Sequence, residues 1–383
     1  AVPTRAVPQP DGTYKLYGQK IFITYGEHDL TDNIVHLVLA RTPDAPEGTR
    51  GISLFIVPKY LPDANGKPDA RNDVRCVSIE HKMGIHASPT CVLSYGDNGG
   101  ATGYLVGKEN EGLRYMFIMM NHARLGVGLE GVAMGERAYQ HALAYARQRV
   151  QGRDVGVASG DRVTIIHHPD VRRMLLLMKS QTEAMRGLTY TAAAELDLAN
   201  HHPDSAQRAR HQARLDLLTP IVKGWCTEQA VEIASLGVQI HGGMGFIEET
   251  GAAQFYRDAR ITTIYEGTTG IQALDLVNRK VGSEKGATMR DVLAQARSTA
   301  ADLAGSREAD LGAIAARLQT GIDSLEAATA WLVETYAREP RQVAASAVPF
   351  LKLCGTVLGG LTMAPAAHVA NERTPAGAGN ATV

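Results

Sequence analysis

The stretch Gly112–Val150, GLRYMFIMMNHARLGVGLEGVAMGERAYQHALAYARQRV, is where the chain changes character. Its period is helical, and the spacing predicts one long helix. Gly126, Gly128, Gly131 and Gly135 lower helix propensity, which makes sense if another backbone packs close there. Upstream, residues 1–105 carry β signals. YKLYGQKIFITYG, NIVHLVLAR, RGISLFIVPK, VRCVSIEHKM, PTCVLSYG and TGYLVG are short and rich in Val, Ile, Tyr and Thr. Turn clusters such as Pro10-Asp11-Gly12, Ala64-Asn65-Gly66 and Asp97-Asn98-Gly99-Gly100 separate them. No helical period interrupts, so a largely antiparallel sheet is expected, barrel-like or sandwich-like. Downstream, a second helix should start after His167-His168-Pro169-Asp170, with Pro in the first turn and Asp at the positive helix end. A third should cover 208–237 and end near GVQIHGGMGF. Shorter helices fit AAQFYRDAR and IQALDLVNRKV. The expected fold is α+β: an antiparallel β-domain over 1–105, an antiparallel four-helix bundle over 106–282, and an extra helical C-terminal segment over 283–383. The last ten residues, TPAGAGNATV, read as loop or a cut end.

Composition narrows the function. The chain has 383 residues, 44% of them hydrophobic, enough to bury a sizeable core. A formal net charge of -1 provides no global basic field for nucleic acid or an acidic membrane. Cys76, Cys91, Cys226 and Cys354 are scattered without a CxxC pair, so neither a metal signature nor a disulfide framework is expected. That usage fits a reducing, cytoplasmic compartment. No apolar run reaches the roughly 18–20 residues of a membrane span. The opening AVPTRAVPQP lacks a signal-peptide pattern and reads like the middle of a longer chain.

Several residues are open to a chemical reading and a plain one. The two HHP sequences could suggest metal, but adjacent histidines do not share a helix face, and loop or helix-start roles fit better. Cys226, with no base nearby in sequence, reads as a buried thiol rather than a nucleophile. The glycines of Gln239–Phe246, QIHGGMGF, permit close approach of a ligand, or simply end a helix. Arg149 either complements a helix C-terminus or forks around a phosphate. In ITTIYEGTTGIQ, Ile261–Gln272, Glu266 taken alone reads as an ordinary acid before a helix; as a base it needs company.

That company is present in order along the chain. GQKIFITYGEHD, GKENEGL, NHARLGVGLEGVAMGERAYQHALAYARQRVQG, QIHGGMGF and RDARITTIYEGTTGIQ together resemble the acyl-CoA dehydrogenase family over roughly residues 1–282. TRAVPQPDGTYKLYGQKIFI, YARQRVQGR, HHPDVRRMLLLMK and the helical tail resemble its longer-tailed members, similar to 3-methylmercaptopropionyl-CoA dehydrogenase. The family fold is a helical N-terminal domain, a middle β-domain and a C-terminal four-helix bundle. On that pattern the chain would begin inside the middle domain, with its first strands missing, and by itself hold FAD weakly.

The resemblance implies roles. Glu266 matches the family's catalytic base, which takes a proton from the acyl α-carbon while FAD accepts a hydride from the β-carbon, giving a trans-2-enoyl-CoA. A carboxylate is a weak base in water, and burial beside apolar groups strengthens it. The backbone N–H at Glu266, with Gly267 following, would hold the thioester oxygen as an oxyanion hole does. Other members carry the base one residue before the Arg of NHAR; Ala123 stands there and cannot serve. Arg124 matches an arginine that supports the active site, and Asn121 stands where many members have a CoA-side Asp. Phe22 and Thr24 match residues flanking the flavin ring, with Trp commoner at the first position, and Thr268 matches a residue near the flavin. Arg149, Gln239, Gly242 and Gly243 match contacts to the FAD diphosphate and adenosine of a neighbouring subunit, which implies a homodimer or dimer of dimers. Two departures touch the adenosine end: Gln151 runs straight to Gly152 without the usual Phe, and Gly270 replaces a frequent Gln. Acyl-CoA is the implied substrate and an electron-transfer flavoprotein the implied acceptor; no metal and no membrane enter. An acyl-CoA oxidase is a variant of the same reading. A DNA-associated flavoprotein of the alkylation response is the alternative from another class, although the tail READLGAIAARLQTGIDSLEAATAWL is not basic. A purely structural helical scaffold is a third.

Overall fold

The computed structural model describes residues 2–156 and 159–373, so TPAGAGNATV lies outside the described residues. It divides into two compact units, Ala1–His122 and Ala123–Val383.

The first unit is built on strands β1 (Arg5–Pro8), β2 (Tyr14–Thr24), β3 (Val35–Ala40), β4 (Ser53–Pro58), β5 (Tyr60–Pro62), β6 (Pro68–Arg71), β7 (Val74–Ile79), β8 (Thr90–Tyr95) and β9 (Ala101–Leu105). The ladders are antiparallel and run β3-β4-β9-β2-β8-β7, with β1 added on β2: an open seven-stranded sheet. Strands β5 and β6 form a separate hairpin around the expected turn at Asn65-Gly66. There the Asp63 carboxylate accepts the N–H groups of Asn65 and Lys67, each at 2.8 Å. One face of the sheet buries Leu16, Val38, Phe55, Val57, Leu93 and Tyr95. Alternation along a strand then sends the neighbouring side chains outward. Strand β2 breaks that alternation with a bulge between Lys20 and Ile23, where Phe22 takes a left-handed φ of 59°. Bulges re-aim side chains, and here Ile21 and Phe22 both emerge, 57% and 68% exposed.

Helix α1 (Gly112–Gln148) starts in the first unit, and the division falls within it. It is followed by α2 (Pro169–His201), α3 (Ser205–His241), α4 (Ala252–Thr262), α5 (Thr269–Asp275), α6 (Ala287–Ala304), α7 (Ala309–Thr335) and α8 (Pro340–Arg373). Pro169 opens α2 with Asp170 in its first turn, as the spacing predicted. His168 is the residue before that helix, its Nε2 at 2.7 Å from the Gln151 carbonyl. Asp204 caps α3 by accepting the Ala206 N–H at 2.8 Å. The close approach expected of the α1 glycines is present at Gly131, where a methyl would lie 2.8 Å from the Cys226 carbonyl oxygen on α3. A methyl at Gly128 would meet Val222. Gly126, by contrast, faces open space.

One core runs through this unit from Val132 to Ala364, taking in Met178 and Met185 of α2, Ile221 and Trp225 of α3, Leu276, Leu293 of α6, Ile322 of α7 and Leu351 of α8. The C-terminal helices are part of this core. Gly355 and Gly359 let α8 cross the Trp225 ring: a methyl there would fall 2.1 and 2.8 Å from indole atoms. The sequence reading needs a correction at α8. Pro340–Asn371 contains an 18-residue stretch of mean hydropathy 1.5, long and apolar enough to cross a membrane. Half of that stretch is buried against protein, as in a core helix, and the inward residues of α8 include Phe350, Leu351, Cys354 and Leu358. Cys226 is fully buried, and burial pushes its thiol up to about 12, the behaviour of a packed, inert thiol.

Candidate active site

The segment between α4 and α5 reverses the chain in six residues, 263–268. The Thr269 N–H donates to the Thr263 carbonyl at 3.1 Å and closes the turn; Thr268 caps α5, its hydroxyl accepting the Ile271 N–H at 3.3 Å. Between these anchors the backbone is left-handed twice, at Glu266 (φ 55°) and Gly267 (φ 96°). Glycine takes that conformation freely, whereas a glutamate does so against the contact of its Cβ with the backbone.

Four side chains hold the turn from outside. The Thr269 hydroxyl donates to Glu228 of α3 at 2.6 Å, and the Tyr265 hydroxyl donates to Glu130 of α1. Burial, with Glu130 beside it, pushes the Tyr265 phenol well above its ordinary value, so it remains a donor. Lys223 of α3 donates to the Gly267 carbonyl at 2.5 Å, and Gln272 of α5 donates to the Glu266 carbonyl at 3.2 Å. Both of these side chains belong to residues with no exposed surface. Two successive carbonyls are therefore turned inward. Among the described residues, the N–H groups of Glu266 and Gly267 have no acceptor. Glu266 itself is half-buried.

Arg124 is buried and pairs with Asp275 at the end of α5 at 3.6 Å; Asp275 also meets Arg279 at 3.5 Å. Burial pushes the Lys223 ammonium down to about 8. The Glu266 carboxylate pulls it back up, Arg124 pushes it further down, and Glu228 and Glu130 pull upward. These groups from α1, α3 and the turn thus share one electrostatic neighbourhood, with Glu266 and Arg124 both in it. Ala123, beside Arg124 on α1, offers no carboxylate. Asn121 is exposed.

A second cluster gathers at the far ends of α1 and α3. His241, buried, donates from Nδ1 to the Gly237 carbonyl at 2.7 Å, and its ring stacks on Tyr145 (4.4 Å) and His141 (4.7 Å). That stack ties the end of α1, with Arg149 just beyond it, to the end of α3, with Gln239, Gly242 and Gly243. Arg149, Gln239 and both glycines are exposed, and no atom comes within 4 Å of a methyl built on either glycine. Phe246, just after them, is 86% exposed. On β2 in the first unit, Phe22 and Thr24 are exposed while Ile23 between them packs against the core.

Sequence reasoning missed Lys223, Gln272 and Glu130. The signal for Lys223 was a single cation inside the apolar run LLTPIVKGWC of a predicted helix, where charge is out of place unless it has a task. Gln272 and Glu130 carry no such signal.

Comparison with known proteins gives the family of the chain. Residues 110–281 match the family model "Acyl-CoA dehydrogenase, C-terminal domain", and residues 287–383 match "Acetyl-CoA dehydrogenase C-terminal like". The chain is 58% identical to 3-methylmercaptopropionyl-CoA dehydrogenase of Ruegeria pomeroyi, over 93% of this chain and 60% of that protein. It is 38% identical to the broad-specificity linear acyl-CoA dehydrogenase FadE5 of Mycobacterium tuberculosis, over 99% of this chain and 64% of that one. The chain thus spans less than two thirds of the length of these relatives. An acyl-CoA dehydrogenase of Bacillus anthracis, solved with FAD, shares the fold with a TM-score of 0.75 and 23% identity, over 97% of this chain and 60% of that structure. With two family models matched end to end across its helices and a half-buried Glu266 on the turn that the resemblance singled out, the chain belongs to the acyl-CoA dehydrogenase family.

Proposed function

We propose that the protein containing this chain is an FAD-dependent acyl-CoA dehydrogenase in which Glu266 removes the α-proton of an acyl-CoA thioester. The observation that carries the reading is the turn at 263–268. Its carbonyls are held inward by buried side chains, and the Glu266 N–H is left without an acceptor among the described residues. A preorganised N–H is what a thioester oxygen needs as charge develops on it, and it makes the neighbouring α-proton more acidic. Glu266, on the turn between α4 and α5, is the carboxylate that takes that proton in this reading. Arg124, locked to Asp275, keeps α1 and α5 in register around it. Gly267 and Asn121 complete the substrate contacts that the resemblance implies.

The residues present fit a flavin. Phe22 and Thr24 project from one strand, an aromatic and a hydroxyl side by side. Gly242 and Gly243 leave a surface bare of side chains beside an exposed Arg149, which suits a diphosphate. Phe22, Thr24 and Thr268 would hold the ring, and Arg149, Gln239, Gly242 and Gly243 the diphosphate and adenosine, in a homodimer or dimer of dimers. When bound, FAD supplies the acceptor for the β-hydride, and an electron-transfer flavoprotein receives the electrons. Four cysteines without a disulfide among the described residues support a cytoplasmic setting.

The relative at 58% identity makes a methylthio-substituted short acyl-CoA the first substrate to try. In the full-length protein, flavin bleaching by a panel of short, medium, branched and methylthio acyl-CoAs identifies the substrate. Glu266→Gln should then bleach at least 1,000-fold more slowly, roughly the loss expected when a general base is removed. Bleaching at the wild-type rate would sink the assignment of the base.

A further inference from the structure

We propose that Lys223 is a positioning residue for Glu266, acting with Gln272. The two buried side chains fasten the successive carbonyls of Gly267 and Glu266 and hold the turn in its left-handed form. The inference rests on the reading of Glu266 as the base.

Lysine in a helix normally keeps its head in water. Lys223 does not: the whole residue is without exposed surface, it lies in the apolar run that holds Val222 and Trp225, and its Nζ crosses from α3 to a backbone carbonyl of another segment. A buried ammonium costs more than an apolar residue in the same place, so its hydrogen bond to the turn calls for a role. The charged groups that reach it are Glu266 from the turn, Arg124 and Glu130 from α1, and Glu228 from α3. Three of these are engaged elsewhere: Arg124 with Asp275, Glu130 with Tyr265, Glu228 with Thr269. Among the described residues, the Glu266 carboxylate has no hydrogen-bonded or ion-paired partner. The two side chains therefore act through the backbone. Gln272 fixes the peptide that directly follows the base and Lys223 the next one, and together they set the direction from which the carboxylate leaves the turn.

The test uses the full-length, flavin-loaded protein. Its readouts are exchange of the substrate α-proton with deuterated solvent at saturating substrate, the substrate dissociation constant, and the thermal midpoint of each variant. Lys223→Met removes the donor to the Gly267 carbonyl and should lower the saturated exchange rate about tenfold with substrate affinity little changed. Gln272→Leu removes the other fastening and should lower the rate in the same way. Lys223→Gln retains a donor for the Gly267 carbonyl and should recover most of the lost rate. Should Lys223→Met not melt as a folded protein, a wild-type rate in Gln272→Leu would overturn the fastening. A wild-type rate in a folded Lys223→Met, with Glu266→Gln inactive, would overturn the role of Lys223 and spare that of Glu266. Full exchange by Glu266→Gln would overturn both.

Discussion

Glu266 occupies a conformation that disfavours a side chain, on a turn that two buried residues hold shut. Left-handed backbone at a non-glycine residue costs on the order of 1 kcal/mol. Glu266→Gly should relieve that strain and raise the melting temperature by a few degrees while abolishing proton abstraction. A lower melting temperature would show that the side chain contributes to stability. Lys223 makes the complementary prediction. Its ammonium is displaced from 10.5 to about 8 in the folded chain. The folded chain releases this proton more readily than the unfolded one, so the penalty is full below that pH and fades as pH rises toward the unfolded value. Stability from this group therefore increases through that window, by up to about 3 kcal/mol. Tyr265, displaced upward, works in the opposite sense at still higher pH. Denaturant titrations of wild type and Lys223→Met across the window isolate the lysine: wild type should gain stability relative to the variant as pH rises. The place of Glu266 just ahead of a helix was legible in the sequence, because Gly-Thr-Thr and a helical period follow it. Its backbone angle and its fastening were not, since both depend on residues brought from α3.

At the scale of elements, the glycines of α1 separate two meanings that look alike in sequence. Gly131 faces the Cys226 backbone, and Gly126 faces open space. Gly131→Ala should destabilise by about 1–3 kcal/mol, because a backbone cannot step aside as a side chain can. Gly126→Ala should stabilise by roughly 0.5–1 kcal/mol through helix propensity alone. Chemical denaturation of the pair checks both signs. Similarly, a methyl built on Gly270 of α5 meets only the Thr268 hydroxyl, at 3.9 Å, so nothing crowds a Cβ there. The starts of α2 and α3 were readable from Pro169, Asp170 and the polar loop before α3, because a cap is a local device. The bulge in β2 was not. Strict alternation in YKLYGQKIFIT would bury one of Ile21 and Phe22, and the register slip that exposes both is set by pairing with β8, far along the chain.

For the whole molecule, the notable fact is a single helical core from α1 to α8. The sequence marked the C-terminal segment as an extra; the packing of Trp225 under Gly355 and Gly359 makes it part of the fold of the second unit. Removal of residues 340–383 should leave a protein with helical circular dichroism but no cooperative melt, binding hydrophobic dyes. A sharp two-state melt would show that the bundle stands without α8. The helical period of the tail was visible in sequence, but which residues it would cover was not, because Trp225 and Gly355 share no local pattern. The order of synthesis gives the same contact a further meaning. Trp225 leaves the ribosome well before the helix that encloses it. A nascent bundle therefore carries an uncovered apolar seam until α8 has emerged as well. Chaperone capture during that interval follows from where one indole ring is packed.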